Sequence, residues 1–412
     1  MKLSLYLRST LTLVVLDALF WFGSRPERYR VFVLTLFAIS ASSIFLILLR
    51  TRRSGRELVA VLALSLSIFG IDIRFLGYPA CWQGAVSVIG LASLGVLTLR
   101  VIWSDGNQRR LAAFTAVPAF SFVASGWCAA TFLHWTFRAH PSVLDLYLVS
   151  FDGSLHVQLP FLLGQLFARF WPFYIVSLVV YIGLPVALGL TYAGCLMNDR
   201  KNALPAFIAF LITGPIGILF YNLFPALGPA YIYADRFPWH PLAYDQLRRL
   251  FVEPVALPGL RNAMPSLHAA WAYLVFWYAR GLSVLERVVA AVVLVFTVFA
   301  TMGTGEHYFI DLVVAVPYAL FILALTNLLL GGRRGALVVP FLAGLVTTMG
   351  WLVALRFAIR TFWISPIIPW AACILTVVVS LWEGKKLLLL EREHKGSAKT
   401  LLVGVLAGDL RE

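Results

Sequence analysis

Long apolar runs separated by short polar segments recur along almost the whole chain. An α-helix needs about 20 residues to cross the hydrocarbon layer of a membrane, which is about 30 Å thick. The pattern therefore predicts an all-α, polytopic membrane protein with about 12 spans. The candidate spans lie at residues 9–23, 31–50, 57–75, 84–103, 111–134, 172–195, 203–223, 265–281, 283–304, 308–330, 335–356 and 362–383.

Two longer polar segments interrupt this pattern. Residues 135–171 combine an apolar stripe with several Pro and Asp residues, which predicts an interfacial helix and then a turn at Asp152-Gly153, lying on the membrane rather than through it. Residues 224–264 are rich in Pro, Tyr, Trp and Arg. Loops of this length often cover binding sites, so both segments are candidate covers for a site on the same membrane face.

Composition supports the membrane assignment. The chain has 412 residues, of which 61% are hydrophobic and only 13% are charged, too few to give a water-soluble globule its polar surface. A net charge of +14 could indicate nucleic acid, but the basic residues are scattered through the loops, so anionic lipid is the expected counterpart. Placing both termini in the cytoplasm puts most of the 33 Lys and Arg residues there, as the positive-inside rule requires.

Two histidines and a carboxylate occur where apolar helices are predicted to start. His307 and Asp311 are four positions apart, so the carboxylate can accept from one imidazole nitrogen and leave the other as a nucleophile. Pro265 suits a first helical position, which places Ser266 and His268 in a first turn whose N–H groups attract phosphate oxygens. His268 can protonate a leaving alkoxide and later deprotonate an incoming hydroxyl.

Other residues are candidate substrate ligands. Arg261 is the cation nearest to Ser266, and its planar guanidinium suits phosphate. Asp152, like Asp145, either hydrogen-bonds the hydroxyls of a polar acceptor or organises its own turn. Two histidines and an aspartate could hold zinc, but a helix start beside Arg261 favours an anion, so we expect no metal and no cofactor.

The motifs resemble a known family. PSLH at residues 265–268 and HYFID at 307–311 resemble the second and third signature motifs of the type 2 phosphatidic acid phosphatase superfamily. MPSLHAA at 264–270 is similar to the inositol phosphorylceramide synthase-like bacterial branch, as is the Pro-rich element GPAY at 228–231, which makes Tyr231 a candidate substrate ligand. The resemblance covers roughly residues 205–330.

The resemblance implies a six-helix catalytic bundle in the C-terminal part of the chain. It also implies that His307 is the nucleophile, Asp311 its orienting carboxylate, His268 the general acid and base, and Ser266 a phosphate ligand. We accordingly divide the chain into N-terminal transmembrane helices, the interfacial segment, a catalytic core, additional transmembrane helices and a cytoplasmic tail. These divisions cover residues 1–134, 135–171, 172–330, 331–384 and 385–412, respectively.

One departure from the family bears on the substrate. The phosphatases carry Ser-Arg shortly before the nucleophilic histidine, where this chain has Ala300 and Thr301. Fewer cations fit a phosphodiester, so we predict transfer of a phosphate-bearing head group from a phospholipid or sphingolipid to a hydroxyl acceptor, through a phosphohistidine. The alternative is a phosphatase for phosphatidate or polyprenyl phosphate, with water as acceptor. The expected location is a bacterial inner membrane, with the site facing away from the cytoplasm.

Two unrelated functions remain as alternatives. A lipid-linked glycosyltransferase would carry an acidic catalytic residue in its first outer loop, but residues 24–30 offer only Glu27 among three arginines. A lipid transporter would show broken helices or charges at mid-membrane. The expected partners are the lipid bilayer, a lipid substrate and an alcohol or water, with no nucleic acid.

Overall fold

A computed structural model describes residues 30–51, 55–71, 82–332 and 334–408. The predicted first span at 9–23 and Glu27 lie outside the described residues. In the described ranges the chain is almost entirely helical, as predicted. Two short strands, β1 (Ser142–Val143) and β2 (Val255–Ala256), pair antiparallel and join the two long polar segments.

Sixteen α-helices are described. The N-terminal four are α1 (Arg30–Thr51), α2 (Gly55–Ile71), α3 (Trp82–Trp103) and α4 (Gly106–Ala139). Then follow α5 (Asp145–Ser154), α6 (Leu159–Arg169), α7 (Trp171–Ile182), α8 (Leu184–Asn198), α9 (Arg200–Leu223), α10 (Pro229–Tyr233) and α11 (Tyr244–Arg248). The last five are α12 (Leu267–Ala279), α13 (Val284–Gly303), α14 (Phe309–Leu329), α15 (Arg334–Phe357) and α16 (Ile367–Gly408). Residues Ala234–Arg236 and Ile359–Trp363 form short 3₁₀ helices.

The predicted count of about 12 spans is not confirmed. Six of the described helices are long and apolar enough to cross a membrane, or up to 8 if each of two bent helix pairs forms one span. The described part of the chain is therefore that of a membrane protein. Helix α12, predicted as a full span over 265–281, has only 13 residues, because Ser266 caps its start and the chain turns after Ala279.

One predicted straight span is broken. Residues 172–195 form α7 and α8, whose axes differ by 55° across Gly183. Pro185 lies in the first turn of α8 and has no N–H to donate to α7, so the helical hydrogen bonding cannot continue across the junction. This bend places the end of α7 next to the start of α12.

The predicted turn at Asp152-Gly153 is wrong. Both residues lie inside α5, and the chain turns after it, where His156 has a φ of 60°. Helices α5 and α6 then meet at 90°. Eight of the ten residues of α5 are buried, because its aspartates hydrogen-bond to neighbouring segments instead of to their own backbone.

Two large apolar cores form within the described ranges, beside a small third cluster of Leu184, Ala272 and Val293. The smaller one joins α1 to α4 through residues such as Ile47, Leu97 and Ala119. The larger one runs from α5 to α16 and is centred on α14, which packs against α9, α12, α15 and α16. Since the most extensive packing of α14 is with α15, the six-helix bundle implied by the resemblance is not confirmed as a separate unit.

Candidate active site

The start of α14 is fixed by hydrogen bonds on both sides of the helix cap. Tyr308 is the N-cap, and its backbone N–H donates to Asp311 Oδ2 at 2.8 Å. The N–H groups of Glu306 and His307 both donate to the carbonyl of Thr301, at 3.1 and 3.0 Å. The segment that carries His307 is therefore held between the end of α13 and the first turn of α14.

The His307 ring has a defined tautomer. Its Nδ1 lies 3.0 Å from the Ala263 carbonyl oxygen and 3.4 Å from Asp311 Oδ2. A carbonyl only accepts, so Nδ1 carries the proton and Nε2 keeps its lone pair. Burial lowers the pKa of His307 to about 4, although Glu306 and the Ala263 carbonyl act in the opposite direction. His307 is therefore a neutral imidazole with a nucleophilic Nε2 at neutral pH.

The start of α12 is tied directly to the start of α14. Ser266 is the N-cap, its Oγ accepts from the Ala269 N–H at 3.4 Å, and its own N–H donates to the Asp311 carbonyl at 3.2 Å. Pro265 thus precedes the cap, and its predicted place as the first helical residue is wrong. Because Ser266 is fully buried, its hydroxyl can meet a phosphate only if the site opens.

His268 is held more loosely than His307. The ring is half-buried and lies over Tyr181, with ring centres 4.2 Å apart. The Tyr181 hydroxyl is 3.3 Å from His268 Nδ1. His268 and His307 are close enough to act on each other electrostatically, so the structure brings together the two predicted histidines.

Two aspartates of α5 accept hydrogen bonds from the segments around His307. Asp145 accepts from the N–H groups of Leu227 and Gly228, at 3.0 and 2.9 Å, and from the Tyr308 hydroxyl at 3.0 Å. Asp152 Oδ2 accepts from the Phe309 N–H at 3.1 Å, at the positive end of the α14 dipole. Asp152 therefore organises the start of α14 and not a turn of its own, and its role as a substrate ligand stays a prediction.

Arg261 is placed away from the role predicted for it. Its side chain is fully buried and donates to the backbone carbonyls of His140, Gly259, Pro141 and Leu257. It therefore holds the 224–264 segment against the end of α4. Four donations to carbonyls satisfy most of the guanidinium, so the structure does not place Arg261 as a phosphate ligand.

Tyr231 and Glu306 form a polar contact at the edge of the site. Tyr231 is 39% exposed, and its hydroxyl hydrogen-bonds to the half-buried Glu306 side chain. Burial raises the pKa of Glu306, while His307 and Tyr231 lower it. Both residues also interact electrostatically with Tyr181, so the contact lies on the His268 side of His307.

Close backbone packing fixes that contact. The Ala230 N–H donates to the Gly305 carbonyl at 2.9 Å. Gly228 has a φ of 143°, and a Cβ there would collide with the backbone of Gly305 and Glu306. The GPAY element thus serves as a clamp over the loop that carries the predicted nucleophile.

Three residues of the site were missed at the sequence level. Glu306 and Tyr308 flank His307, and their chemistry could have been considered from adjacency alone. Tyr181 lies in an apolar run with no polar neighbour, and only the 55° bend after α7 brings it to His268. Across the residues that the structure describes, no group of three or more His, Cys, Asp or Glu is arranged to hold a metal ion.

Comparison with known proteins supports the family resemblance. Residues 146–325 match the profile of the PAP2 superfamily, and this segment contains His268, His307 and Asp311. No curated protein and no solved structure matches the chain. Members of the superfamily are phosphatases or phosphotransferases, whereas the inositol phosphorylceramide synthase-like branch is not confirmed. The match and the motifs within it therefore support the assignment of residues 146–325 to the PAP2 superfamily.

Proposed function

We propose that the protein is an integral membrane lipid phosphotransferase that works through a phosphohistidine at position 307. It moves a phosphate-bearing head group between a lipid and a hydroxyl acceptor. The observation that carries the proposal is the hydrogen bond from His307 Nδ1 to the Ala263 carbonyl, which leaves Nε2 as the free lone pair. A buried, neutral imidazole held in one tautomer is what nucleophilic attack on phosphorus requires.

The first step forms a bond from His307 Nε2 to phosphorus and breaks the bond from phosphorus to the lipid oxygen. His268 gives its proton to that leaving oxygen. Asp311, at 3.4 Å from Nδ1, stabilises the positive charge that develops on the His307 ring. His268 enters this step as an imidazolium, whose Nδ1–H donates to the Tyr181 hydroxyl oxygen and whose Nε2–H is the proton that is transferred.

The second step returns the enzyme to its starting state. An acceptor hydroxyl attacks phosphorus, the phosphorus–Nε2 bond breaks, and His268 takes the proton of the acceptor. Water in place of an alcohol would make the protein a lipid phosphate phosphatase. The departures from the family at Ala300 and Thr301 support the transferase, because Thr301 is uncharged and fully buried at the position where the phosphatases carry an arginine, and Ala300 stands at the position of their serine.

The lipid substrate and the location of the site belong to this proposal as well. We place the histidines on the side of the membrane away from the cytoplasm, in a bacterial inner membrane with both termini cytoplasmic. The charge distribution of the loops supports this orientation. Because His307 is only 1% exposed, a lipid head group reaches it only when neighbouring side chains move.

The test is a transfer assay with purified protein and a radiolabelled lipid extract, with and without inositol or simpler alcohols. We expect label on the alcohol and a labelled, acid-labile protein intermediate that His307→Ala abolishes. His240→Ala is the matched control, because His240 is an exposed histidine of the 224–264 segment. Label found only on inorganic phosphate would favour the phosphatase. EDTA should leave turnover unchanged, and strong inhibition would reject the metal-free reaction.

A further inference from the structure

The immediate charge environment of His307 is negative. Glu306 is its neighbour in sequence and interacts with it electrostatically. Asp311 lies on the other side of the ring, at 3.4 Å from Nδ1. Because Asp311 lies at Nδ1, it is remote from Nε2, where the phosphorus atom must arrive. The carboxylate that concerns the phosphate is therefore Glu306, which contacts Tyr231 and interacts with Tyr181, the neighbour of His268.

No cation is positioned to compensate for Glu306 at the places where one was expected. Arg261 is committed to four backbone carbonyls. Thr301 is buried, and its hydroxyl donates to the Val298 carbonyl at 3.0 Å, while its own carbonyl holds the N–H groups of Glu306 and His307. The backbone therefore fixes a carboxylate, and not a guanidinium, beside the nucleophile.

Glu306 cannot easily turn away from the site. Its carboxylate accepts the Tyr231 hydroxyl, and its backbone lies directly against Gly228. The hydrogen bond from the Ala230 N–H to the Gly305 carbonyl holds the preceding residue of the same loop. Glu306 therefore hydrogen-bonds to the partly exposed Tyr231 and directly precedes the buried His307 in the chain.

We propose that Glu306 is a specificity residue that excludes phosphomonoesters from the His307 site and so selects phosphodiester lipids. A phosphomonoester carries about −2 charges above its second pKa of about 6, whereas a phosphodiester carries only one. The additional charge meets the Glu306 carboxylate in partly desolvated surroundings, where repulsion between like charges is strong. This inference rests on the proposed function and gives it a substrate class.

The experiment compares two fluorescent lipids that release the same diacylglycerol. Phosphatidate is the monoester, and phosphatidylmethanol is a diester that differs by one methyl group and one charge. At about pH 8, well above the ordinary carboxyl range, we expect the wild type to favour the diester in kcat/KM by about tenfold or more. A wild type that favours phosphatidate would overturn the proposal without any variant.

The variant series then tests the residue. Glu306→Gln should lower the diester preference by about tenfold, mainly by raising kcat/KM for phosphatidate. Glu306→Asp keeps the charge and should keep the preference. Glu253→Gln is the matched control, because Glu253 is an exposed glutamate of the 224–264 segment, and it should change nothing.

The remaining outcomes separate the two proposals. An unchanged preference in Glu306→Gln would reject the role of Glu306 while leaving the phosphohistidine intact. Loss of turnover of both lipids in a folded Glu306→Gln protein would also reject it, since Glu306 would then act in the chemistry itself. Turnover that survives His307→Ala would instead reject the proposed function.

Discussion

The starts of α14 and α12 carry the two histidines, but they are built differently. At α14, His307 is 1% exposed and its Nδ1 donates to a carbonyl at 3.0 Å. Two aspartates of α5 accept from the Tyr308 hydroxyl and from the Phe309 N–H beside it. At α12, His268 is half-buried and contacts one hydroxyl at 3.3 Å. The one polar side chain that caps α12 is Ser266, with a long bond of 3.4 Å.

This difference matches the chemistry proposed for each ring. A nucleophile acts through one lone pair at one position, so a fixed tautomer and a fixed ring lower the cost of reaching the transition state. A general acid and base must gain and lose a proton in each cycle, so a partner that can both donate and accept suits it better. The Tyr181 hydroxyl is such a partner, whereas the Ala263 carbonyl is not.

The largest expected effect is the loss of turnover when either histidine is replaced. The two variants should differ in whether the phosphohistidine intermediate accumulates. His307→Gln should lower lipid turnover by about 10⁴-fold or more, because no bond to phosphorus can form. His268→Gln should lower it by about 10²–10⁴-fold, since only proton transfer is lost. With a p-nitrophenyl ester, whose leaving group needs little protonation, His268→Gln should still form the phosphohistidine and accumulate it.

The measurement for this pair is a burst of p-nitrophenol followed by trapping of the labelled protein. The wild type gives the reference level of label, and His307→Gln should give none. A burst in His307→Gln equal to that of the wild type would place the nucleophile elsewhere.

Asp311→Asn should have the next largest effect. The amide oxygen of Asn can still accept from the Tyr308 N–H, so the cap and the fold are retained. The charge that stabilises the developing imidazolium is lost, and we expect kcat to fall by about 10²–10⁴-fold. A steady-state assay next to a thermal unfolding curve checks this. A variant with normal kcat would show that the Ala263 carbonyl alone is sufficient.

Acid should destabilise the protein through His307. Because its folded pKa of about 4 lies below the ordinary value of 6.5, the fold favours the neutral ring, and this stability is present above about pH 6.5 and lost as the pH falls toward 4. Between pH 6.5 and 5 the loss is about 2 kcal/mol. Thermal midpoints should therefore fall less with acid in His307→Gln than in the wild type. Equal slopes would contradict the buried, neutral assignment.

The next prediction compares the caps of the two helices. Asp152→Ala removes the acceptor for the Phe309 N–H, and Ser266→Ala removes the acceptor for the Ala269 N–H. Each should lower the free energy of unfolding by about 1 kcal/mol, with Asp152→Ala the larger because its hydrogen bond is shorter. Asp152→Asn keeps the acceptor and should cost less than either. Denaturant unfolding measures these differences. A larger loss of unfolding free energy in Ser266→Ala than in Asp152→Ala would show that the start of α12 is the more firmly capped of the two.

The central residues of the site could be predicted from short sequence motifs. Most of the contacts that hold these residues in place could not. The spacing of His307 and Asp311 and the motif around His268 were sufficient to nominate the three residues that the structure brings together. The prediction for Arg261 failed because a guanidinium suits backbone carbonyls as well as it suits phosphate. The sequence around Arg261 does not show whether the fold will place carbonyls or a phosphate beside the guanidinium.

The fold shows the same limit. Hydropathy found the apolar runs, because burial in lipid or in protein demands the same residues, and for that reason it could not separate long spans from short buried helices such as α12. The turn predicted at Asp152-Gly153 is a good local turn signal. The α14 cap overrides it, because Asp152 hydrogen-bonds a helix start more than 150 residues away in sequence.

The smallest expected effect concerns Tyr181, which only the bend between α7 and α8 brings to His268. Tyr181→Phe removes one hydrogen bond and keeps the ring that lies 4.2 Å from the imidazole, so we expect kcat to fall by only about two- to tenfold. Tyr174→Phe on the same helix is the matched control. Because the hydroxyl acts through His268, its loss should disappear in a His268→Gln background. If the two losses in kcat multiply instead, Tyr181 acts independently of His268. The contrast between His307, held in one tautomer, and His268, assisted by a hydroxyl that can donate and accept, would then no longer hold.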